Sequence, residues 1–264
     1  MRLARAAHLL AACLASLALA TPAFAQSDSG VARPANEQGL SLGELGEQLY
    51  AGNCASCHGI GGRGIRSPRP GSGDVRGQGP SLRDAGALAA DFYLRTGYMP
   101  LGDPADQPTR QRVQFNEREI TALVRYVASL GVGPGIPSPR PSEGNVAVGR
   151  QLFTEHCAGC HQIMARGGFV AGARVPPLQG ATARQIAQAV RVGPYLMPRF
   201  SARQISDAQL DSLIAYVEST KDPPDSGGWG IGNIGPVPEG MVTWLVAAVA
   251  LLFTCLVIGE RARW

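Results

Sequence analysis

The chain writes Cys-x-x-Cys-His twice: Cys54-Ala55-Ser56-Cys57-His58 and, 103 positions later, Cys157-Ala158-Gly159-Cys160-His161. Nothing else in the sequence restricts the fold as tightly, because all three functional side chains of each copy must reach one ligand from one short turn. Two thiols three apart can each form a thioether with one vinyl group of a c-type haem, and the histidine that follows is then held under the iron. A zinc site needs four ligands, and no other Cys or His lies near the first copy. A thioredoxin-like pair belongs in a βαβ setting, which the surrounding pattern does not provide. The motif therefore predicts two covalently bound c-type haems, attached through Cys54, Cys57, Cys157 and Cys160, with His58 and His161 as iron ligands.

The surroundings repeat as well. Gly46-Glu47-Gln48-Leu49-Tyr50 aligns with Gly149-Arg150-Gln151-Leu152-Phe153, and apolar residues at helical spacing (Leu42, Leu45, Leu49; Val148, Leu152) lead into each motif. A glycine four residues ahead of an aromatic on this helix resembles the N-terminal helix of class I cytochromes c, where it permits close packing against the C-terminal helix. Pro80-Ser81-Leu82 and Pro176-Pro177-Leu178 follow in parallel. They resemble the cytochrome c loop whose proline carbonyl accepts a hydrogen bond from the proximal histidine and orients it.

Next come Gly97-Tyr98-Met99-Pro100 and Tyr195-Leu196-Met197-Pro198. A residue before proline is pushed toward extended geometry, which suits a thioether presented from a loop. Met99 and Met197 are thus the expected distal iron ligands. Met164 competes in the second repeat but lies three residues past His161. Each repeat closes with an amphipathic helix, opened by Asn116-Glu117-Arg118-Glu119 and by Ser206-Asp207-Ala208-Gln209. Ile120, Leu123, Val124, Tyr126 and Val127 correspond to Leu210, Leu213, Ile214, Tyr216 and Val217 at a constant offset of 90. Tyr126 and Tyr216 are the expected partners of Gly46 and Gly149. Length changes fall in loops. Gly59 to Gly79 is longer than its counterpart and holds Arg63, Arg66, Arg69 and Arg76 against Asp74 alone. It reads as a surface insertion or as a docking loop for an acidic partner.

Arg2 and Arg5, an apolar run and an Ala-x-Ala ending at Ala25 make residues 1–25 a secretory signal. Leu10-Ala11-Ala12-Cys13 resembles a lipobox, and retention as an anchor is the other alternative. Loss of this segment takes two arginines and no acid, so the formal charge of +4 falls to +2. Roughly four haem propionates bring the whole close to neutral, and nothing argues for nucleic acid. Four of the six cysteines lie in the motifs and the other two, Cys13 and Cys255, in apolar segments, so no disulfide framework is expected. Met241 to Gly259 runs 19 residues without a charge. At ~1.5 Å per residue that is about 28 Å, near the thickness of the bilayer hydrocarbon. Arg261 and Arg263 follow it, which puts the C-terminus in the cytoplasm and both haem domains outside the cell membrane.

The predicted fold is mainly α: two tandem class I cytochrome c domains, 41–131 and 145–221, plus one C-terminal transmembrane helix, 241–259. Linkers occupy 26–40, 132–144 and 222–240, and a cytoplasmic tail spans 260–264. This organisation, with the stretch Gly227-Gly228-Trp229-Gly230-Ile231-Gly232-Asn233-Ile234-Gly235-Pro236-Val237-Pro238-Glu239-Gly240-Met241, resembles the dihaem cytochrome c subunit of the quinol–cytochrome c reductase of actinobacterial-type respiratory chains. The resemblance implies a cytochrome b subunit, a Rieske iron–sulfur subunit and a cytochrome c oxidase as partners. It also implies an electron route from the Rieske cluster through both haems to the oxidase, and makes the chain an electron-transfer subunit rather than a catalyst by itself. A dihaem subunit of another respiratory oxidase or membrane dehydrogenase is the alternative. A dihaem peroxidase-like enzyme needs one open iron position, which two matched methionines argue against.

Overall fold

A computed structural model describes residues 30–65, 79–102, 107–223 and 236–261. The signal segment, Cys13, Arg66, Arg69 and Arg76 of the long loop, the stretch 227–235 and residues 262–264 lie outside the described residues. By its contacts the chain divides into two compact units. The first takes residues up to Gly86, Tyr93–Ala105 and Gln111–Gly133; the second takes Ala87–Phe92, Asp106–Arg110 and everything from Pro134 onward.

The first unit is built on α1 (Leu42–Asn53), a short α2 (Ala55–His58) and α4 (Glu117–Ser129); α3 (Gly86–Arg95) has its two ends in this unit and Ala87–Phe92 in the second. Both long helices start on reciprocal capping boxes, Ser41 with Glu44 and Asn116 with Glu119, which satisfy backbone donors that a helix start leaves free. Their apolar faces meet as Leu45, Leu49, Ile120 and Leu123, all buried, each worth roughly 1.5–3 kcal/mol of transfer free energy. Gly46 sits where the helices touch. A Cβ there would strike the Ala122 carbonyl and lie 2.9 Å from Tyr126 Cβ, so the crossing exists only with glycine. The Tyr50 and Tyr126 rings pack beside it with centroids 5.0 Å apart.

Residues 30–40 are not a free linker. Ala32 exchanges two backbone hydrogen bonds with the Asn53 side chain, at 2.8 and 2.9 Å. Arg33 Nε donates to Glu119 Oε1 at 2.6 Å and its Nη2 to the Gln114 carbonyl at 2.9 Å. Arg118 in turn donates to the carbonyls of Glu37 and Leu40. Small polar composition suggests flexibility, but two guanidinium groups and one amide strap the segment to α1 and α4.

The second unit repeats the plan with α5 (Val146–His156), α6 (Ala158–His161), α7 (Ala183–Val192) and α8 (Asp207–Ser219). Gly149 meets the Ser212 carbonyl and Tyr216 Cβ as Gly46 meets Ala122 and Tyr126, and Phe153 packs on Tyr216 with centroids 5.3 Å apart. The core gathers Phe153, Ile186, Val190, Ile205, Leu213, Ile214 and Val217, with Met197 packed half-buried against it. Ser206 and Gln209 form the expected capping box, and Thr182 with Gln185 adds one on α7. An antiparallel hairpin, β1 (Gly168–Val170) and β2 (Ala173–Val175), is a small β element in the mainly α fold; Gly168 pairs with Val175. Gln107 extends it, its side-chain amide exchanging hydrogen bonds with the Arg174 backbone. In the same unit, buried Gln188 donates to buried Asp91 at 2.7 Å.

Helix α9, Pro236–Arg261, contains the apolar stretch Gly240–Arg261, 22 residues long and without a buried residue in its most apolar part. Trp244, Leu245, Leu252 and Phe253 are exposed along it. An apolar helix this long with nothing packed over it suits a bilayer, not a protein core.

Candidate haem-attachment sites

Each motif is a single helical turn hung on the end of the entering helix. Cys54 N–H closes α1 on the Tyr50 carbonyl, and His58 N–H closes α2 on the Cys54 carbonyl, both at 2.8 Å. Cys157 and His161 repeat these bonds on Phe153 and Cys157, at 2.8 and 2.9 Å. Residues three apart on a helical turn share a face, a spacing that suits two thiols reaching one ligand. None of the four motif cysteines is tied up in a disulfide. Burial, then the neighbouring Cys57, pushes the Cys54 thiol up to about 12; burial, then Cys160, pushes Cys157 up to about 11. Both stay neutral thiols at physiological pH, the form that adds across a vinyl group.

Past each histidine the chain reverses through the left-handed region, at Gly59 (φ 73°) and Gln162 (φ 59°). The returning loops are bonded alike. Gly64 N–H donates to the His58 carbonyl at 2.8 Å, and Gly167 to that of His161 at 3.0 Å. Leu82 donates to Gly62 and Leu178 to Ala165, at 2.8 and 2.9 Å. The two repeats therefore correspond in loops whose residue types barely match. Both loops are further pinned by tyrosine hydroxyls, Tyr50 to the Gly59 carbonyl at 2.8 Å and Tyr216 to that of Ile163 at 2.6 Å. Sequence reasoning read these rings only as packing. The available hint was that the aromatic on the entering helix is Tyr50 in one repeat and Phe153 in the other.

His58 Nδ1 donates to the Pro80 carbonyl at 2.8 Å, leaving Nε2 as the nitrogen free for a metal. Gly79 presses on this pair, since a Cβ there would strike the Cys57 carbonyl and come within 2.9 Å of Nδ1. His161 is buried, and burial lowers its pKa against the opposing pull of the Pro176 carbonyl, so its imidazole is neutral, the ligating form. The Pro176 carbonyl thus acts on His161 as Pro80 acts on His58, with looser geometry at the buried Nδ1.

Met99 follows Gly97 (φ 69°) in the loop after α3, its N–H on the Tyr93 carbonyl at 3.2 Å; Met197 N–H bonds the Pro194 carbonyl at 3.0 Å. Met164 lies two residues past the Gln162 reversal, its carbonyl held by Gln179. Among the described residues no three His, Cys, Asp or Glu side chains converge as a metal-ion site. What is present is a paired-thiol turn with one imidazole, twice over, and that set fits covalent haem.

The comparisons agree with this chemistry. Residues 43–131 match the family described as Cytochrome c, and residues 144–217 match Cytochrome C oxidase, cbb3-type, subunit III. The chain is 33% identical over 246 residues to the cytochrome bc1 complex cytochrome c subunit of Corynebacterium diphtheriae, covering 86% of this chain and 84% of that one. It is 34% identical over 239 residues to the subunit of the same description from Mycobacterium tuberculosis, covering 86% and 81%. A cbb3-type cytochrome c oxidase subunit CcoP from an Azospirillum species is 28% identical over 197 residues, covering 66% and 60%.

Proposed function

The chain belongs to the cytochrome c subunits of the cytochrome bc1 complex, an electron-transport component of respiratory chains with two haem c groups, and on that premise we propose that it relays electrons from a Rieske iron–sulfur subunit toward a cytochrome c oxidase. The observation that carries the reading is similarity running through both haem repeats and most of the chain. Haem supplies a reversible one-electron couple. In this reading Cys54, Cys57, Cys157 and Cys160 would attach the two groups, and His58 and His161 with Met99 and Met197 would ligate the irons. Six-coordinate iron has no position for substrate, so the chain moves electrons and leaves quinol oxidation to its partners. The helical turns orient the histidines, the Pro80 carbonyl fixes the His58 tautomer, and the buried leucine and isoleucine faces exclude water.

Helix α9 is the anchor, with both haem domains outside the cell membrane and Arg261 on the cytoplasmic side. A cytochrome b subunit is the third expected partner. The cbb3-type match over 144–217 favours a second reading, the dihaem subunit of an oxidase. Affinity purification through this chain, followed by identification of the co-purifying chains, separates the two. Cytochrome b and Rieske subunits are expected. Recovery of oxidase subunits alone overturns the proposal in favour of the second reading.

A further inference from the structure

Two glutamines of α7, Gln185 and Gln188, stand three residues apart, a spacing that puts them on one side of the helix. Gln188 is fully buried, and its Nε2 donates to Asp91 Oδ2 at 2.7 Å. Gln185 Oε1 accepts from Arg110 Nη2 at 3.4 Å, and Arg110 Nη1 donates to the Gly180 carbonyl, just ahead of α7, at 3.1 Å. All of these residues belong to the second unit. Tyr93–Ala105, which carries Met99, belongs to the first. The loop that begins there is closed at its neck: Gln111 N–H donates to the Thr96 carbonyl at 3.3 Å, and a Cβ on Gly97 would strike the Gln111 carbonyl. Asp91 precedes this neck and Arg110 follows it, and one helix holds both. We propose that α7 supports both distal-methionine loops, with Gln188 as a positioning residue for Met99 through Asp91.

Asp91 is the only acid on α3 and is 3% exposed, and Gln188 Oε1 is buried without a donor. The pair therefore carries a desolvation cost that two apolar side chains would avoid. What it supplies is direction: a buried hydrogen bond fixes one arrangement where apolar contact permits several. Asp91 lies two residues before Tyr93. The Tyr93 carbonyl accepts from Met99 N–H at 3.2 Å, and its ring meets that of Tyr98 with centroids 6.2 Å apart. Gln188 lies two residues before Val190, whose carbonyl accepts from Phe200 N–H at 2.9 Å and closes the loop that carries Met197. The bond thus joins matching points of two similar supports, each a helix whose carbonyl holds a methionine loop. Its loss frees the α3 turn beneath Met99. It leaves the Phe200–Val190 closure of the Met197 loop in place, so a change on α7 should be felt at the methionine of the other repeat.

The inference rests on the reading of Met99 as distal ligand of the first haem, and the test separates the two. It uses the full chain in detergent with both haems attached, in a Met197→Ala background where the weak red absorption of oxidised His/Met haem comes from the first haem alone. Adding Met99→Ala should abolish that absorption; its persistence defeats the ligand reading and this inference together. Adding Gln188→Leu instead should remove roughly half of it by shifting the loop toward an open population. In the chain with both methionines, Gln188→Leu should also speed amide hydrogen exchange at Met99 and Gln111 about tenfold through local opening. Asp91→Asn, whose amide oxygen can still accept from Gln188, should keep the wild-type values. Leu213→Ala, in the core of the second unit and outside the link, should lower stability without moving either readout. If Gln188→Leu fails to load haem, Arg110→Ala decides, since its side chain is exposed: exchange at the Gln111 amide should quicken. Loss with Met99→Ala but full absorption with Gln188→Leu overturns the inference alone. So do an equal loss in Leu213→Ala and unchanged exchange in Arg110→Ala.

Discussion

Replacing Gly46 with alanine tests whether the helix crossing is the structural hinge of the first haem unit. The added Cβ would meet the Ala122 carbonyl oxygen, the carbonyl carbon at 2.8 Å and Tyr126 Cβ at 2.9 Å. Two of these atoms are backbone of α4 and cannot rotate away, so the helices must separate. Overpacking costs roughly 1–3 kcal/mol, and backbone contacts put this case at the upper end, about 3 kcal/mol. Alanine returns about 1 kcal/mol through helix propensity, leaving a net loss near 2 kcal/mol. At ~4–8 °C per kcal/mol for a domain of this size, Tm should fall by about 10 °C. The control lies on the same helix: a Cβ at Gly43 has only Ser41 Oγ nearby, at 4.0 Å, so Gly43→Ala should raise stability by roughly 0.5 kcal/mol. Thermal unfolding of the haem-loaded chain, followed by circular dichroism, reads both. Equal shifts in Gly46→Ala and Gly43→Ala would refute the crossing argument.

Gln162 holds φ 59° where the first repeat has glycine, so Gln162→Gly should stabilise the second unit by about 0.5–1 kcal/mol in chemical denaturation, while Gly59→Ala should destabilise the first. Arg33→Ala leaves the buried Glu119 carboxylate without its guanidinium; because Arg33 is itself 35% exposed, the loss should be about 2 kcal/mol, below the range for a fully buried pair. Met197→Ala should remove the weak red absorption of oxidised His/Met haem from one centre only, and the same loss in Met164→Ala instead would reassign the ligand. Truncation before Glu239 should release soluble dihaem protein to the exterior; retention in the membrane fraction would show a second anchor at the N-terminus.

Much of this architecture is legible in the sequence because it depends on residue type at fixed spacing. Gly46 and Gly149 are written as glycines because no other residue permits the crossing, and each of the four reciprocal capping boxes among the described residues is written as a hydroxyl or amide with Glu or Gln three residues on. What was not legible depends on contacts between distant residues. The strap of 30–40 is made by guanidinium bonds from Arg33 and Arg118 over about 80 positions, and small polar composition conceals it. The hairpin at 168–175 is too short for a period-two pattern to emerge from Gly168-Phe169-Val170. The loop equivalence of Gly62 with Ala165 is carried by backbone conformation and by bonds from Leu82 and Leu178, so the differing side chains hide it.

The central claim is that one chain carries two covalent haems that both lie on the path of electrons from quinol. The most direct measurement is rapid mixing of the oxidised complex, with any oxidase inhibited, with quinol, following the c-type haem absorption and normalising to haem content per chain. Two haems per chain should be present after acid–acetone extraction, and both should be reduced within a turnover of the complex. A single extraction-resistant haem, or c-type haem that quinol leaves oxidised, would contradict the account.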